Sequence, residues 1–115
     1  MDVLVLTSLY PPHSYGGYEA SCRDVVDRWR RPGSAVTVLT TDTRVAGVAD
    51  DPQEQGVRRE LGFYWVDHAV PDRPWRELVR IERHNRAALR RALEQTRPQV
   101  VSAWSMGALS LGLLE

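Results

Sequence analysis

The strongest constraint on the fold of this chain is its alternation of short apolar runs with longer amphipathic stretches. Val3-Leu4-Val5-Leu6 is continuously apolar, the pattern of a strand buried on both faces of a parallel sheet. Tyr18, Cys22, Val25, Val26 and Trp29 then recur at spacings of four, three, one and three, which places them on one face of a helix. Pro32-Gly33 ends that helix, and Ala35 to Thr41 reads as a β-branched second strand. Strand, helix and strand within about 40 residues predict a right-handed βαβ unit.

Periodicity disappears from Asp42 to Gly56, a loop long enough to be either mobile or functional. Val57 to Leu61 and Phe63 to Val66 read as one or two strands around Gly62, with the charged first half suited to a sheet edge. After the break at Val70 to Pro74, the longest helical pattern begins at Trp75. Trp75, Leu78, Ile81, Asn85, Ala88, Leu89, Ala92 and Leu93 form its apolar face. Its arginines are interleaved with glutamates around the helix, which describes a solvated face rather than a nucleic-acid stripe. Pro98 closes the helix, Val100 to Trp104 is the next strand, and Ser105-Met106-Gly107 turns into an apolar helix over Ala108 to Glu115. That last helix has no cap or polar tail, so the expectation is a break in a longer fold.

The chain has 115 residues, enough for one domain and too few for two. Fifteen arginines balance fifteen acidic residues, so no net field draws the chain to nucleic acid or an anionic membrane. Lysine is absent, which removes Schiff-base chemistry and the phosphate-cradling Gly-Lys-Ser/Thr loop. The single cysteine, Cys22, lies on the apolar face of the first helix and is expected to pack as a small hydrophobe in a reducing compartment. No stretch approaches the roughly 18 apolar residues of a membrane span. Asp2 stands where a signal peptide would carry positive charge. The expected location is cytoplasmic, with peripheral contact with a membrane still open.

Alternating strands and helices predict a Rossmann-like α/β fold, a parallel sheet with helices on both faces in the order 3-2-1 with the fourth strand beside the first. Ligands bind at that reversal, between the loops after the first and fourth strands, here Tyr10 to Gly17 and Ser105 to Gly107. In the first of these, two prolines stiffen the chain and Gly16-Gly17 opens the helix. A helix N-terminus flanked by glycine seats a phosphate through unpaired N–H groups, and the same residues also suit a plain tight turn.

Other chemistries fit less well. Dinucleotide binding needs a Gly-x-Gly-x-x-Gly turn directly after the first strand, and Thr7 through Tyr15 contains no glycine. His13, His68, His84 and Cys22 lack the paired spacing of zinc ligands, so no metal is expected. Trp104-Ser105-Met106-Gly107 supplies only half of a Gly-x-Ser-x-Gly nucleophile turn. His84 falls among charged helix residues, whereas His13 sits inside the suspect linker.

The run Leu4 to Pro12 followed by Gly16-Gly17-Tyr18-Glu19 resembles the opening of family 4 retaining glycosyltransferases. Pro32 to Thr40 is similar to the family's Gly-His-x-Val-x-Val-x-Thr segment, and Pro98 to Trp104 to its Pro-Asp-Val-Val-His-x-His segment. The resemblance implies residues 1–115 of an amino-terminal, acceptor-side domain, one half of a GT-B architecture whose carboxy-terminal nucleotide-sugar domain is absent. It implies that Gly16 and Gly17 approach the donor diphosphate, and that His13, Tyr18, Glu19, Trp104, Ser105 and Met106 line the acceptor side. It implies a nucleotide-diphosphate sugar as substrate, no cofactor, a small-molecule, glycan or lipid acceptor, and no activity for the domain alone. Ser102 and Trp104 stand where the family has histidines, and Ser34 replaces another. No catalytic residue is therefore assigned, and Trp104 is either a core aromatic or a sugar-stacking one. The alternative is a stand-alone Rossmann-like module that binds a phosphorylated small molecule or a protein partner without catalysis. In a third case the domain has no ligand, and replacing Gly17 changes only stability.

Overall fold

A computed structural model of the chain describes residues 2–14, 17–62 and 72–104. The elements are β1 (Val3–Leu6), α1 (Gly17–Arg30), β2 (Val36–Thr41), β3 (Val57–Leu61), α2 (Trp75–Thr96) and β4 (Val100–Ala103). The four strands form one all-parallel sheet in the order β3-β2-β1-β4. The fold is thus α/β and Rossmann-like, with the predicted reversal between β1 and β4. Phe63 to Val66, the second half of the expected strand pair, lies outside the described residues, as do the turn at Ser105 to Gly107 and the final helix.

Every residue of β1 is buried, because strands flank it on both sides and each of its faces carries a core. Val3 and Val5 pack with Tyr10, Cys22, Val26, Val36 and Val38 on the α1 side. Leu4 and Leu6 pack with Leu39, Leu61, Ala88 and Ala92 on the α2 side. The chemistry divides accordingly: leucines reach out to a helix whose contact face is alanine, so α2 lies close to the sheet.

The predicted apolar face of α2 is only partly a core face. Asn85, Ala88 and Ala92 are buried, whereas Trp75, Leu78 and Leu93 are 69%, 39% and 37% exposed. Length explains the difference for Trp75 and Leu78. Twenty-two residues of helix span about 33 Å, and strands of four to six residues cover about 13–20 Å. Asn85 meets the chain just past β3 at Gly62, so the turns before it extend beyond the sheet. α2 ends at Arg97, which has φ 44° and donates its N–H to the Leu93 carbonyl at 2.9 Å, and Pro98 prevents continuation.

The β2–β3 crossover, residues 42–56, contains no helix or strand. Polar bonds hold it in place of an apolar face. Arg30 Nη2 donates to the carbonyls of Val36 at 2.8 Å and Gly56 at 3.2 Å. Arg59 Nη2 pairs with Glu54 at 2.7 Å. Gly56 has φ 67°, in the left-handed region that favours glycine, and a Cβ there would displace the Arg30 guanidinium from its carbonyl contacts. No helix among the described residues is long and apolar enough to cross a membrane.

Candidate functional site

Because β4 pairs with β1, the chain leaving each strand emerges on the same edge of the sheet. The Trp104 N–H donates to the Leu6 carbonyl at 2.8 Å, which extends the pairing one step past β4. From that position the Trp104 indole packs against the α1-side core. It also meets the Tyr18 ring, with centroids 5.6 Å apart and planes tilted by 59°. Tyr18 and Trp104, 86 positions apart in the sequence, are thus brought together at the reversal. Trp104 thus packs on the core on one side and meets Tyr18 on the other.

Gly17 is the first residue of α1. A Cβ built there would have none of the described residues within 4 Å. Glu19, in the first turn of the same helix, is 9% exposed, and its Oε2 has no hydrogen-bond partner among the described residues. The carboxylate helps to push the Cys22 thiol up to about 11, after the larger effect of burial. The Trp104 indole Nε1 is buried and also lacks a partner among the described residues. Gly16, Ser105 and Met106 lie outside the described residues.

The linker between β1 and α1 is held from beneath. Thr41 Oγ1 donates to the Ser8 carbonyl at 2.6 Å, and Arg59 donates to the carbonyls of Tyr10 at 3.3 Å and Pro11 at 3.0 Å. Tyr10 is buried, and burial raises its phenol to about 12. The Pro11–Pro12 bond is cis. His13 is 1% exposed. Its Nδ1 accepts the Val45 N–H at 2.9 Å, which leaves the proton on Nε2, facing Asp50 Oδ1. Both ring nitrogens are therefore engaged, and His13 fastens the linker to the crossover instead of presenting a nitrogen to the edge.

Three residues that position this region carried no functional sign in the sequence reading. Arg59 looked like an edge-strand charge, yet it binds two linker carbonyls. Asp50 looked like part of a polar loop, yet it receives His13. Asn85 was counted with the apolar face of α2, and its amide clips the Gly62 N–H at 2.6 Å and carbonyl at 3.1 Å. The usable signal there was a lone amide on an apolar stripe.

No group of three or more His, Cys, Asp and Glu among the described residues is arranged to hold a metal ion. A polar cleft of about 160 Å³ lies between α1 and the crossover, lined by Tyr10, Arg23, Asp27, Arg30 and Glu54 among others. Its mixed charges favour water over a ligand of one sign. No family model matches the chain, and comparison with curated proteins and with solved structures found no match.

Proposed function

We propose that this chain is the acceptor-side domain of a retaining glycosyltransferase of the GT-B type, moving a sugar from a nucleotide-diphosphate donor to an acceptor hydroxyl. The observation that carries it is Gly17. Gly17 opens α1, and none of the described residues lies within 4 Å of the place a Cβ would take there, which leaves room for a ligand at the α1 N-terminus. The unpaired N–H groups of that turn then stabilise a leaving diphosphate, an electrostatic contribution of the oxyanion-hole type. The Tyr18 and Trp104 rings supply the apolar surface a sugar face needs. Exposed Val100 and Val101, 44% and 47% accessible on β4, suit a sheet covered by further structure, and the nucleotide-binding half is the proposed source.

Titration of the chain with uridine, guanosine and thymidine diphosphates, followed by heteronuclear NMR, tests this. Shifts concentrated at Gly17 to Glu19 are expected. Gly17→Val should abolish them while changing stability by less than about 0.5 kcal/mol. A destabilised Gly17→Val chain, with no diphosphate response in the wild type, would return Gly17 to a purely structural role.

A further inference from the structure

Residues 43–49 of the β2–β3 crossover are exposed, apart from half-buried Thr43 and Val45, so the stretch has no apolar face to fix it. Among the described residues its one hydrogen bond to the linker runs from the Val45 N–H to His13 Nδ1, at 2.9 Å. The second half of the crossover reaches the same buried ring, where His13 Nε2–H donates to Asp50 Oδ1. One imidazole therefore joins two arms of a loop, and the two bonds respond oppositely to a second proton. A neutral imidazole has one donor and one acceptor nitrogen, whereas an imidazolium has two donors and no acceptor. The bond to Val45 needs the acceptor. The bond to Asp50 needs only the donor, and the positive charge strengthens it.

The charged groups about the ring come from three segments. On the crossover, Arg44 Nε lies 3.2 Å from the same Asp50 oxygen. On β3, Arg59 is held by Glu54 at 2.7 Å and donates to the linker carbonyls of Tyr10 and Pro11. On the linker itself Tyr10 is bridged to His13, and its phenol stays neutral because burial raises it to about 12. The charges of α1, Asp27, Arg23 and Arg30, act on Tyr10. Asp50 is thus the anion on the ring, with Arg44 sharing it and Arg59 balanced by Glu54.

We propose that His13 is a pH-operated latch on the β2–β3 crossover. The neutral ring holds the loop at Val45 and at Asp50. A proton taken up at Nδ1 faces the Val45 N–H, donor against donor, so residues 43–49 come away from the linker while the Asp50 arm stays. Histidine ordinarily changes state near about pH 6.5, and the latch involves no ligand.

Amide hydrogen exchange of the 15N-labelled chain between about pH 8 and about pH 5, corrected for the intrinsic rate at each pH, tests the latch, with the His13 ring nitrogens followed in parallel. The Val45 protection factor is expected to fall about tenfold as the ring gains its proton. The Asp42 amide donates to the Leu61 carbonyl at 2.9 Å, an acceptor that does not titrate, and should keep its protection. Asp50→Asn removes the anion and should move the Val45 release to lower pH by about half a unit or more. His13→Gln, whose amide accepts an N–H but takes up no proton, should make Val45 protection independent of pH. A ring that stays neutral down to about pH 5, Val45 protection that survives protonation of the ring, or a release unmoved by Asp50→Asn would each overturn the latch. Equal loss at Val45 and Asp42 would also overturn it, since the whole loop would then be opening.

Discussion

His13 is held by partners that its place in the linker does not reveal. Its position between Pro12 and the glycines marks it as belonging to the edge, but its partners are 32 and 37 positions away. Nothing local to His13 announces them. Asp50, which is 67% exposed, is held below its ordinary value of 3.8, first by the hydrogen bond from His13 and then by Arg44. A carboxyl whose folded pKa lies below its unfolded one stabilises the fold fully above the unfolded value, and that contribution disappears as pH falls through the folded one. Asp50→Asn is accordingly expected to be less stable than the wild type near neutral pH. The difference between their urea midpoints should close below about pH 4. A difference that stays constant across that range would show that the Asp50 charge does nothing for the loop.

At the scale of elements, the strands and helices were almost fully legible because each carries its own period. Val3–Leu6 and Trp75–Thr96 begin where their patterns begin, since β1 is apolar on both faces and α2 opens after a proline. Burial was less legible. Trp75 and Leu78 keep helical spacing with the core residues, but a helix longer than its sheet carries its first turns past the described strands. The end of α2 is also an exception to preference, with arginine in the left-handed conformation where glycine is usual. Arg97 is exposed, so Arg97→Gly should relieve backbone strain without loss of packing. A gain of about 1 kcal/mol in thermal or urea unfolding is expected, and an unchanged or lowered midpoint would indicate that the arginine side chain compensates for its backbone.

For the molecule as a whole, position in the sheet sets what each strand contributes. β1 lies between β2 and β4 with a core on each face, and β4 forms an edge with valines exposed on both faces. Leu4→Ala should cost about 3 kcal/mol. Val101→Ala, which pairs with Leu4 across the ladder but is half exposed, should cost less than about 1 kcal/mol. Equal losses in chemical denaturation would mean that β4 is as well covered as β1. The candidate site follows from the same geometry. Tyr18 and Trp104 meet only because β4 returns to the side of β1, and Arg59 reaches the linker only because β3 lies two strands away. By itself the sequence determined the described elements, their order, the parallel sheet and the edge at which β1 and β4 end, since hydrophobic period and the handedness of crossovers are local or nearly universal constraints. Only the tertiary structure decided which polar groups at that edge are satisfied. His13 has both ring nitrogens bonded, whereas Glu19 Oε2 and Trp104 Nε1 have no partner among the described residues, because hydrogen-bond pairing depends on neighbours that folding brings from remote parts of the chain.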